Sequence, residues 1–266
     1  CYFFRVDPAA ASASLTTPNS VKAATEESIK RPFPKVANAQ PIPDSASADE
    51  IIKLAIQVKG GAEKLAKFRT CQTKSEGKLF VSGKEIPYKL QSFCQFPKRY
   101  REEIQMEVDG KTVTRVLGVD GESIWRSVNG TRQKIDKSTI EAVPDTLFSI
   151  EVGDLTTLLG GKYALSRGEN AVVRGRPTVG VKISSQGNPD VHLDFDKETG
   201  LCVQSKQRSL ADSRLVREEF SDFRDFDGVL IPTRIRQFRD DTVEAEVEVT
   251  DSSSSSSFDL SLFRKP

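Results

Sequence analysis

The residues that could do chemistry are few, and His192, the one histidine, is the first to consider. It stands two residues before Asp194, and residues i and i+2 of a β-strand point to the same face. A carboxylate beside an imidazole can orient it as a general base. The same pair is also common on the solvated face of a strand, and we favour this second interpretation for His192.

The sequence contains none of the short motifs that mark familiar catalytic sites. It has no Gly-x-Ser-x-Gly, HExxH or P-loop, and no strand followed by GxGxxG. Acidic residues are numerous, but a catalytic carboxylate pair is defined by its geometry and not by composition. We therefore predict a protein that is not an enzyme and that has no cofactor.

The four cysteines offer little more. Cys71, Cys94 and Cys202 allow at most one disulfide, and no CxxC or Cys–His spacing predicts a metal site. We interpret these three as small buried apolar residues on strands. Cys1 leaves two alternatives: it is a lipidation site exposed by signal cleavage, or simply the first residue of the given chain.

Composition and charge exclude two classes of partner. The 266 residues include 39 basic and 38 acidic ones, a net charge of +1. Nucleic-acid binding depends on a clustered basic excess, so we predict no such partner. No run of about 18 apolar residues is present, so we predict no transmembrane span in this chain.

The elements that would position any site begin after an Ala-, Ser- and Pro-rich segment, residues 1–47, that is typical of a flexible arm or tether. Asp49 is the predicted N-cap of a helix that ends at Gly60-Gly61. Its apolar face is predicted to consist of Ile51, Leu54, Ala55 and Val58. A short second helix follows, with Leu65 and Phe68 pointing inward.

From Cys71 onward, strand-length runs alternate with hairpin dipeptides such as Asn129-Gly130 and Asp227-Gly228. Residues 242–250 alternate strictly, and the polar DKETG sequence at 196–200 is predicted to be a hairpin turn. A helical insertion at 138–161 interrupts the strands, with two pieces joined at Pro144. The fold class is therefore α+β, mainly antiparallel β, with about ten to eleven strands and helices over one face.

Charged runs within the strands also call for interpretation. The sequences KRYRE at 98–102 and RLVRE at 214–218 resemble basic patches, but each carries acidic neighbours. We interpret both as solvated strand faces.

Several segments resemble a known family when they are taken in order. The most specific are LDFDKETGL at 193–201 and FSDFRDFDGVLIPTRI at 220–235, and the likeness extends over roughly residues 50–266. The sequence resembles the outer-membrane lipoprotein-sorting proteins of the LolA/LolB-like superfamily. Six serines at 252–257 depart from the pattern and predict a flexible join before the last segment.

The resemblance implies one domain, residues 48–266. It would be a curved, half-open β-barrel whose concave face is covered by helices that enclose an apolar cavity. The predicted ligand-cavity residues, each of which is alternatively a plain core residue, are Phe93, Tyr100, Leu117, Trp125, Leu193, Phe195 and Phe220.

The resemblance also implies a function. We expect a monomeric protein of the bacterial periplasm or cell envelope, either free or tethered through Cys1, that binds a lipid or a lipoprotein acyl chain in a carrier-like way. The alternative is an envelope sensing or protein-interaction module that uses the same half-barrel without lipid cargo. An apolar cavity inside would favour the first, and an exposed apolar patch outside would favour the second.

Overall fold

The computed structural model describes Val36, Ala39 and residues 41–135, 137–210 and 212–264, without the side chains of residues 138, 139, 141 and 142. Cys1 and most of the expected arm lie outside the described residues. The end of that arm belongs to the folded unit, because Ile42 is buried and its N–H donates to the Lys197 carbonyl at 2.9 Å. The folded domain therefore begins before residue 48.

Three α-helices are described: α1 (Ala48–Lys59), α2 (Ala62–Lys67) and α3 (Lys137–Gly153). Short 3-10 segments cover Thr156–Gly160 and Leu260–Leu262. The predicted N-cap was wrong by two residues, because the Ser47 hydroxyl accepts from the Glu50 N–H while the Glu50 carboxylate accepts from the Ser47 N–H. This capping box places Asp49 in the first helical turn.

The described residues form one antiparallel sheet of 14 strands. Its strands are β1 (Thr70–Val81), β2 (Lys84–Gln95), β3 (Arg99–Val108), β4 (Lys111–Asp120), β5 (Ser123–Val128), β6 (Thr131–Gln133), β7 (Ala164–Arg167), β8 (Ala171–Val173), β9 (Arg176–Ser184), β10 (Val191–Asp196), β11 (Cys202–Arg208), β12 (Leu215–Phe226), β13 (Val229–Arg239) and β14 (Thr242–Ser254). The spatial order is β6-β5-β4-β3-β2-β1-β14-β13-β12-β11-β10-β9-β7, with β8 paired to β9, so the sheet is open.

The expected number of ten to eleven strands was too low. The additional strands are β6, β7 and β8, which are 3 or 4 residues long. Segments of that length are too short to show a two-residue alternation, which is why the sequence pattern does not reveal them.

The DKETG sequence forms the turn between β10 and β11, as predicted. The Asp196 Oδ1 accepts from both the N–H and the hydroxyl of Thr199, each at 2.8 Å. Gly200 has φ 74°, a conformation that glycine adopts without strain. The turn therefore combines a side-chain cap with one glycine that its backbone requires.

One face of the sheet, the concave face, is buried beneath the helices. In β14, Ala245, Val247 and Val249 are buried on this face, in agreement with the predicted alternation. The register continues the same face through Ile235 of β13 and Phe220 of β12. The opposite, convex face of β14 carries Glu244, Glu246 and Glu248.

The sheet curves strongly around the end of α3. Asp154 lines a small cleft together with Cys94 of β2, whereas the next residue, Leu155, lines another cleft together with Cys202 of β11. Five strand spacings separate β2 from β11, which is about 24 Å in a flat sheet. Two consecutive residues can reach both strands only if the sheet wraps around them.

The helical insertion differs in detail from its prediction. Helix α3 continues through Pro144, and the break falls at Asp154–Leu155 before the 3-10 segment. The serine run also differs, since β14 continues to Ser254 and pairs it with Cys71 of β1. The first three serines are thus part of a paired strand instead of a flexible join.

No helix among the described residues has the length and apolar character needed to cross a bilayer.

Candidate functional site

A cleft lies where the C-terminal ends of α1 and α3 meet strands β11, β12 and β13 on the concave face. Its lining residues are Ala55, Lys59, Gly153, Leu155, Leu201, Cys202, Phe220, Phe223 and Pro232. The cleft encloses about 390 Å³ when its open mouth is included, but the space available to the centre of a water-sized sphere is about 20 Å³. That is room for about one water molecule, so the cleft is nearly closed in this conformation.

The sequence of α1 explains why a lysine lines this apolar cleft. Ile51, Ala55 and Lys59 follow one another at intervals of four residues, so Lys59 continues the buried stripe of the helix. The residue is 8% exposed. The helix then ends at Gly60, whose φ is 130° and at which an added Cβ would come within 2.3 Å of the Gly228 carbonyl oxygen. This close approach fixes the end of α1 against the β12–β13 turn.

The Lys59 ammonium lies at the C-terminal end of α3. Its Nζ donates to the Gly153 carbonyl oxygen at 3.2 Å, and a helix C-terminus is electrostatically favourable for a cation. Burial lowers the pKa of Lys59 to about 8, against opposing effects of Cys202 and Asp154. Lys59 is therefore mostly protonated at neutral pH but is a poorly solvated cation.

The residue that joins α3 to the 3-10 segment is strained. Leu155 has φ 42° and ψ −40° although it carries a branched side chain, and the Thr156 N–H donates back to the Asp154 carbonyl. This is a γ-turn of the rare, strained type. Leu155 is 2% exposed and lines the cleft, so the strain lies at the site.

The neighbouring Asp154 is held by Arg69, which lies just before β1, and by the 3-10 segment. The Arg69 Nε donates to the Asp154 Oδ2 at 2.6 Å, and the Thr156 hydroxyl donates to the Asp154 Oδ1 at 2.8 Å. These bonds direct the Asp154 carboxylate toward Arg69, on the side of the second, smaller cleft.

The thiols near the two clefts are weak acids. Burial raises the pKa of Cys202 to about 12, while Lys59 lowers it, and burial also raises the pKa of Cys94 to about 12. Cys71 and Cys94 face each other across β1 and β2 and are not bridged. Both are buried on the concave face and Cys202 is half-buried, which agrees with the interpretation as small apolar residues.

The predicted cavity residues divide between the two faces of the sheet. Phe220 lines the cleft, while Leu193 and Phe195 are fully buried on the same concave face beside it. Tyr100 and Leu117 lie on the concave face of β3 and β4, away from the residues that line the cleft.

Two of the predicted cavity residues are on the wrong face. Phe93 and Trp125 fall on the opposite side of the register from Tyr100, on the convex face. There the Trp125 indole N–H donates to the Phe263 carbonyl at 2.8 Å, and Phe93 packs edge-on to Phe258. The chain's last described segment covers this part of the convex face. The presence of an aromatic residue in a strand does not show which face of the sheet its side chain lies on, because that depends on the strand register.

The concave face of β1–β4 is more polar than expected. Tyr100 donates to the Glu102 Oε2 at 3.0 Å, and Arg115 approaches the Glu102 Oε1 at 3.5 Å. Glu102 and Arg115 are both buried. The prediction that residues 98–102 lie on a solvated face is therefore wrong for Glu102. The Ser92 hydroxyl is also buried and makes no hydrogen bond within the described part of the chain.

His192 is exposed on the convex face, as the favoured interpretation predicts. The buried Asp194 beside it pairs with the Lys206 Nζ at 2.9 Å. Among the described residues, no group of three or more His, Cys, Asp or Glu side chains is arranged to hold a metal ion.

Comparison with solved structures identifies the architecture. A LolA superfamily protein from Nitrosomonas europaea matches with a TM-score of 0.55 and 13% identity, over 83% of this chain and 99% of that chain. The chain shares its fold with this LolA superfamily protein.

Two further structures share this fold. A DUF1329 family protein from Desulfovibrio piger matches with a TM-score of 0.56 and 13% identity, over 82% of this chain and 97% of that chain. A domain described as an outer membrane lipoprotein-sorting protein, from Vibrio parahaemolyticus, gives 0.50 and 11%, over 81% and 97%. Comparisons with protein-family models and with curated proteins find no match.

Lys59 is the residue that motif analysis missed. The sequence did carry a signal, because the i, i+4, i+8 spacing of Ile51, Ala55 and Lys59 extends the apolar stripe of α1 to a charged residue. Helical periodicity read to the last turn would have placed this ammonium on the buried side.

Proposed function

We propose that the protein binds the acyl chain of a lipid or lipoprotein in the cleft between the helices and the concave face, and carries it within the bacterial cell envelope. The observation that supports this most is the apolar lining of the cleft, to which Leu155, Leu201, Phe220 and Phe223 contribute. The LolA-superfamily fold is consistent with the proposal. It involves no chemical step and needs no cofactor.

The size of the cleft requires that binding be coupled to movement. A space of about 20 Å³ does not accommodate an acyl chain, so the end of α3 and the 3-10 segment would have to move outward. The strained Leu155 lies between these two elements, and relief of its backbone strain would offset part of the cost of opening. Burial of each methylene group would contribute about 0.8 kcal/mol.

The first experiment is native mass spectrometry of the protein purified from its own envelope, followed by organic extraction and lipid analysis. A co-purifying acyl species of defined mass is the expected result, and the same spectrum reports any lipid on Cys1. An unchanged mass after incubation with a phospholipid and a lipopeptide would contradict the proposal.

A pair of variants connects binding to the cleft. Ala55→Phe places an aromatic ring in the cleft, whereas Ala66→Phe adds the same ring at an exposed position of α2. We expect the first variant to lose the acyl species and the second to retain it. Equal retention by both would place the ligand elsewhere.

The nearly closed cleft favours a second candidate function. An open sheet with a filled interior could serve as an envelope interaction module that binds a protein at its rim or edge strands. In that case the protein from its own envelope would carry no lipid, and crosslinking in the envelope would recover a protein partner at a defined stoichiometry.

A further inference from the structure

We infer that Cys71 and Cys94 form a disulfide across β1 and β2 when the chain folds in an oxidising compartment. The structure describes the reduced form, in which both residues are thiols. The inference rests on the proposed function for the compartment, because a bacterial envelope is oxidising whereas the cytosol keeps thiols reduced. The choice of these two cysteines rests on the strand register.

The two cysteines form a hydrogen-bonded strand pair. Cys71 of β1 lies directly opposite Cys94 of β2, and both are buried on the concave face. In the same register, the Phe96 N–H donates to the Arg69 carbonyl at 2.8 Å. Hydrogen-bonded pairs recur at every second position of an antiparallel ladder, so the pair of Cys71 and Cys94 is of this type as well.

The spacing of such a pair suits a disulfide. The Cα atoms of a hydrogen-bonded pair are about 5.5 Å apart, and a disulfide usually joins Cα atoms separated by about 4.4–6.8 Å. The Cβ atoms, about 5 Å apart, have to approach each other by roughly 1 Å for the bond to form. The bridge should therefore carry some strain and be easier to reduce than a relaxed disulfide.

The sheet pairing distinguishes these two cysteines from Cys202. Cys202 lies on β11, which pairs with β10 and β12. It is therefore not a cross-strand neighbour of Cys71 or Cys94. Of the three cysteines that the structure describes, the register brings only these two face to face.

The bond forms by thiol–disulfide exchange. Each thiol gives up one proton, and together they give up two electrons, which a small disulfide such as oxidised glutathione takes up as it becomes two thiols. The attacking species is the thiolate, and burial raises the pKa of Cys94 to about 12, so exchange is slow in the folded protein. In the unfolded chain the pKa of a thiol is about 8.5, so the bridge forms while the chain folds.

The bridge would support the end of α3. Arg69 lies two residues before Cys71, and its Nε donates to the Asp154 Oδ2 at 2.6 Å. Arg69, Cys94 and Asp154 also line the second cleft together. A bond between Cys71 and Cys94 closes the open end of the β1–β2 hairpin, and it thereby fixes the strand ends that hold the α3 terminus in place.

The test refolds the full chain from denaturant in a mixture of oxidised and reduced glutathione. Free thiols are blocked with iodoacetamide in denaturant without a reductant, and tryptic peptides are mapped by mass spectrometry. Trypsin can separate Cys71 from Cys94, because Lys74 and Lys89 lie between them. We expect their two peptides to be joined, with the loss of two hydrogen atoms, and Cys202 to be alkylated. Alkylation of both Cys71 and Cys94, or coupling of either to glutathione or another cysteine, would overturn the inference.

Two variants connect the bridge to stability. Cys71→Ala combined with Cys94→Ala removes the pair, and Cys202→Ala is the matched control that keeps it. We expect reduction to lower the thermal midpoint of oxidised wild type by about 5 °C, because it frees the loop of residues 71–94 in the unfolded chain. Cys202→Ala should show the same shift and the double variant none. An equal shift in the double variant would contradict the stabilising role of the bridge.

The same peptide map of protein extracted from cells separates this inference from the proposed function. We expect the joined peptides there too. A pair that joins on refolding but is alkylated at both thiols in protein from cells would contradict the envelope location and leave the pairing in place. A pair that does not join on refolding would overturn the inference and leave acyl binding in place. The map uses wild type alone, so it is decisive even if the double variant fails to fold.

Discussion

The two halves of the concave face differ in chemistry although one continuous sheet forms both. On β9 and β10 the concave face is almost purely apolar, with buried Val181, Ile183, Leu193 and Phe195, although the neighbouring β12 and β13 also bury Glu218 and Gln237 on it. On β1–β4, the same face buries Ser92, Glu102 and Arg115. Backbone pairing thus determines where the face lies, whereas side chains determine whether a region of it packs as a core or as a polar network.

This difference bears on where a ligand can enter. Apart from Lys59 and the Cys202 thiol, the residues that line the cleft are apolar, and an acyl chain can cover that surface. Opening the polar half would expose an ion pair and hydroxyls that a hydrocarbon cannot satisfy. The apolar lining of the cleft is thus better suited to a hydrocarbon than the polar network of β1–β4.

The largest expected effect is in the apolar half. Phe195→Ala removes a fully buried ring from β10 and should lower the free energy of unfolding by about 4 kcal/mol, from lost burial and the cavity left behind. Denaturant unfolding measures this loss. Phe93→Ala, on the half-buried convex side, is the matched control and should cost less; equal losses would contradict the distinction between the faces.

The second effect tests the polar half. Arg115→Met leaves Glu102 buried without this guanidinium and should cost about 3 kcal/mol of unfolding free energy. Glu102→Leu combined with Arg115→Met should recover at least half of that loss, because two apolar side chains replace the pair. A cost below about 1 kcal/mol for Arg115→Met would mean that this pair is effectively solvated.

The third effect concerns the turn that closes the β10–β11 hairpin. Burial raises the pKa of Asp196, but bonds from Arg176 and Thr199 outweigh it, and the net pKa is lowered. The ionised Asp196 therefore stabilises the fold at pH values above the pKa of an aspartate in the unfolded chain, about 3.9. This stabilisation is lost as the pH falls through the lower pKa of the folded state.

Asp196→Asn should accordingly lower stability by about 2 kcal/mol at pH 7. The difference in unfolding free energy between the variant and wild type should decrease below about pH 4. Denaturant unfolding at a series of pH values measures this difference. A gap that stays constant from pH 7 to pH 3 would show that the charge of Asp196 is not responsible.

The smallest effect is kinetic and compares a thiol in each half. With a pKa of about 12, Cys94 and Cys202 would be only about 0.01% thiolate at pH 8, so both should react with iodoacetamide roughly a thousandfold more slowly than an ordinary thiol. Cys202 lines the cleft and is less buried, so peptide mass spectrometry should find it alkylated first. Earlier alkylation of Cys94 would mean that the polar half opens more readily.

Sequence patterns predicted the larger elements because these have the length that periodicity requires. Helix α1, the hairpin at DKETG and the alternation of β14 were confirmed. Strands β6, β7 and β8, which are 3 or 4 residues long, were not predicted. Pro144 suggested a break in α3 that the structure places at Leu155 instead. Nothing local identifies Leu155, since a leucine in the sequence gives no sign of a positive φ.

The site was harder to predict than the fold. Phe93, Phe220 and Trp125 were all predicted as cavity residues without reference to strand register, and the register places Phe93 and Trp125 on the convex face. Glu102 appeared solvated because charge was judged without its face. Lys59 was not among the predicted site residues, although its spacing from Ile51 and Ala55 placed it on the buried face of α1.

The pairing of β1 with β14 has a consequence for the order in which the chain can fold. Cys71 pairs with Ser254, so the strands at the middle of the sheet are joined by residues far apart in the sequence. Hairpins within β1–β6 and within β9–β13 are local and can form early, but contacts of such long range form slowly. Until β14 inserts, β1 and β13 each present an unpaired edge that invites aggregation. A nascent chain would therefore carry two unfinished half-sheets until its last strand emerged, which makes the ribosome-bound and freshly released forms the ones most in need of a chaperone.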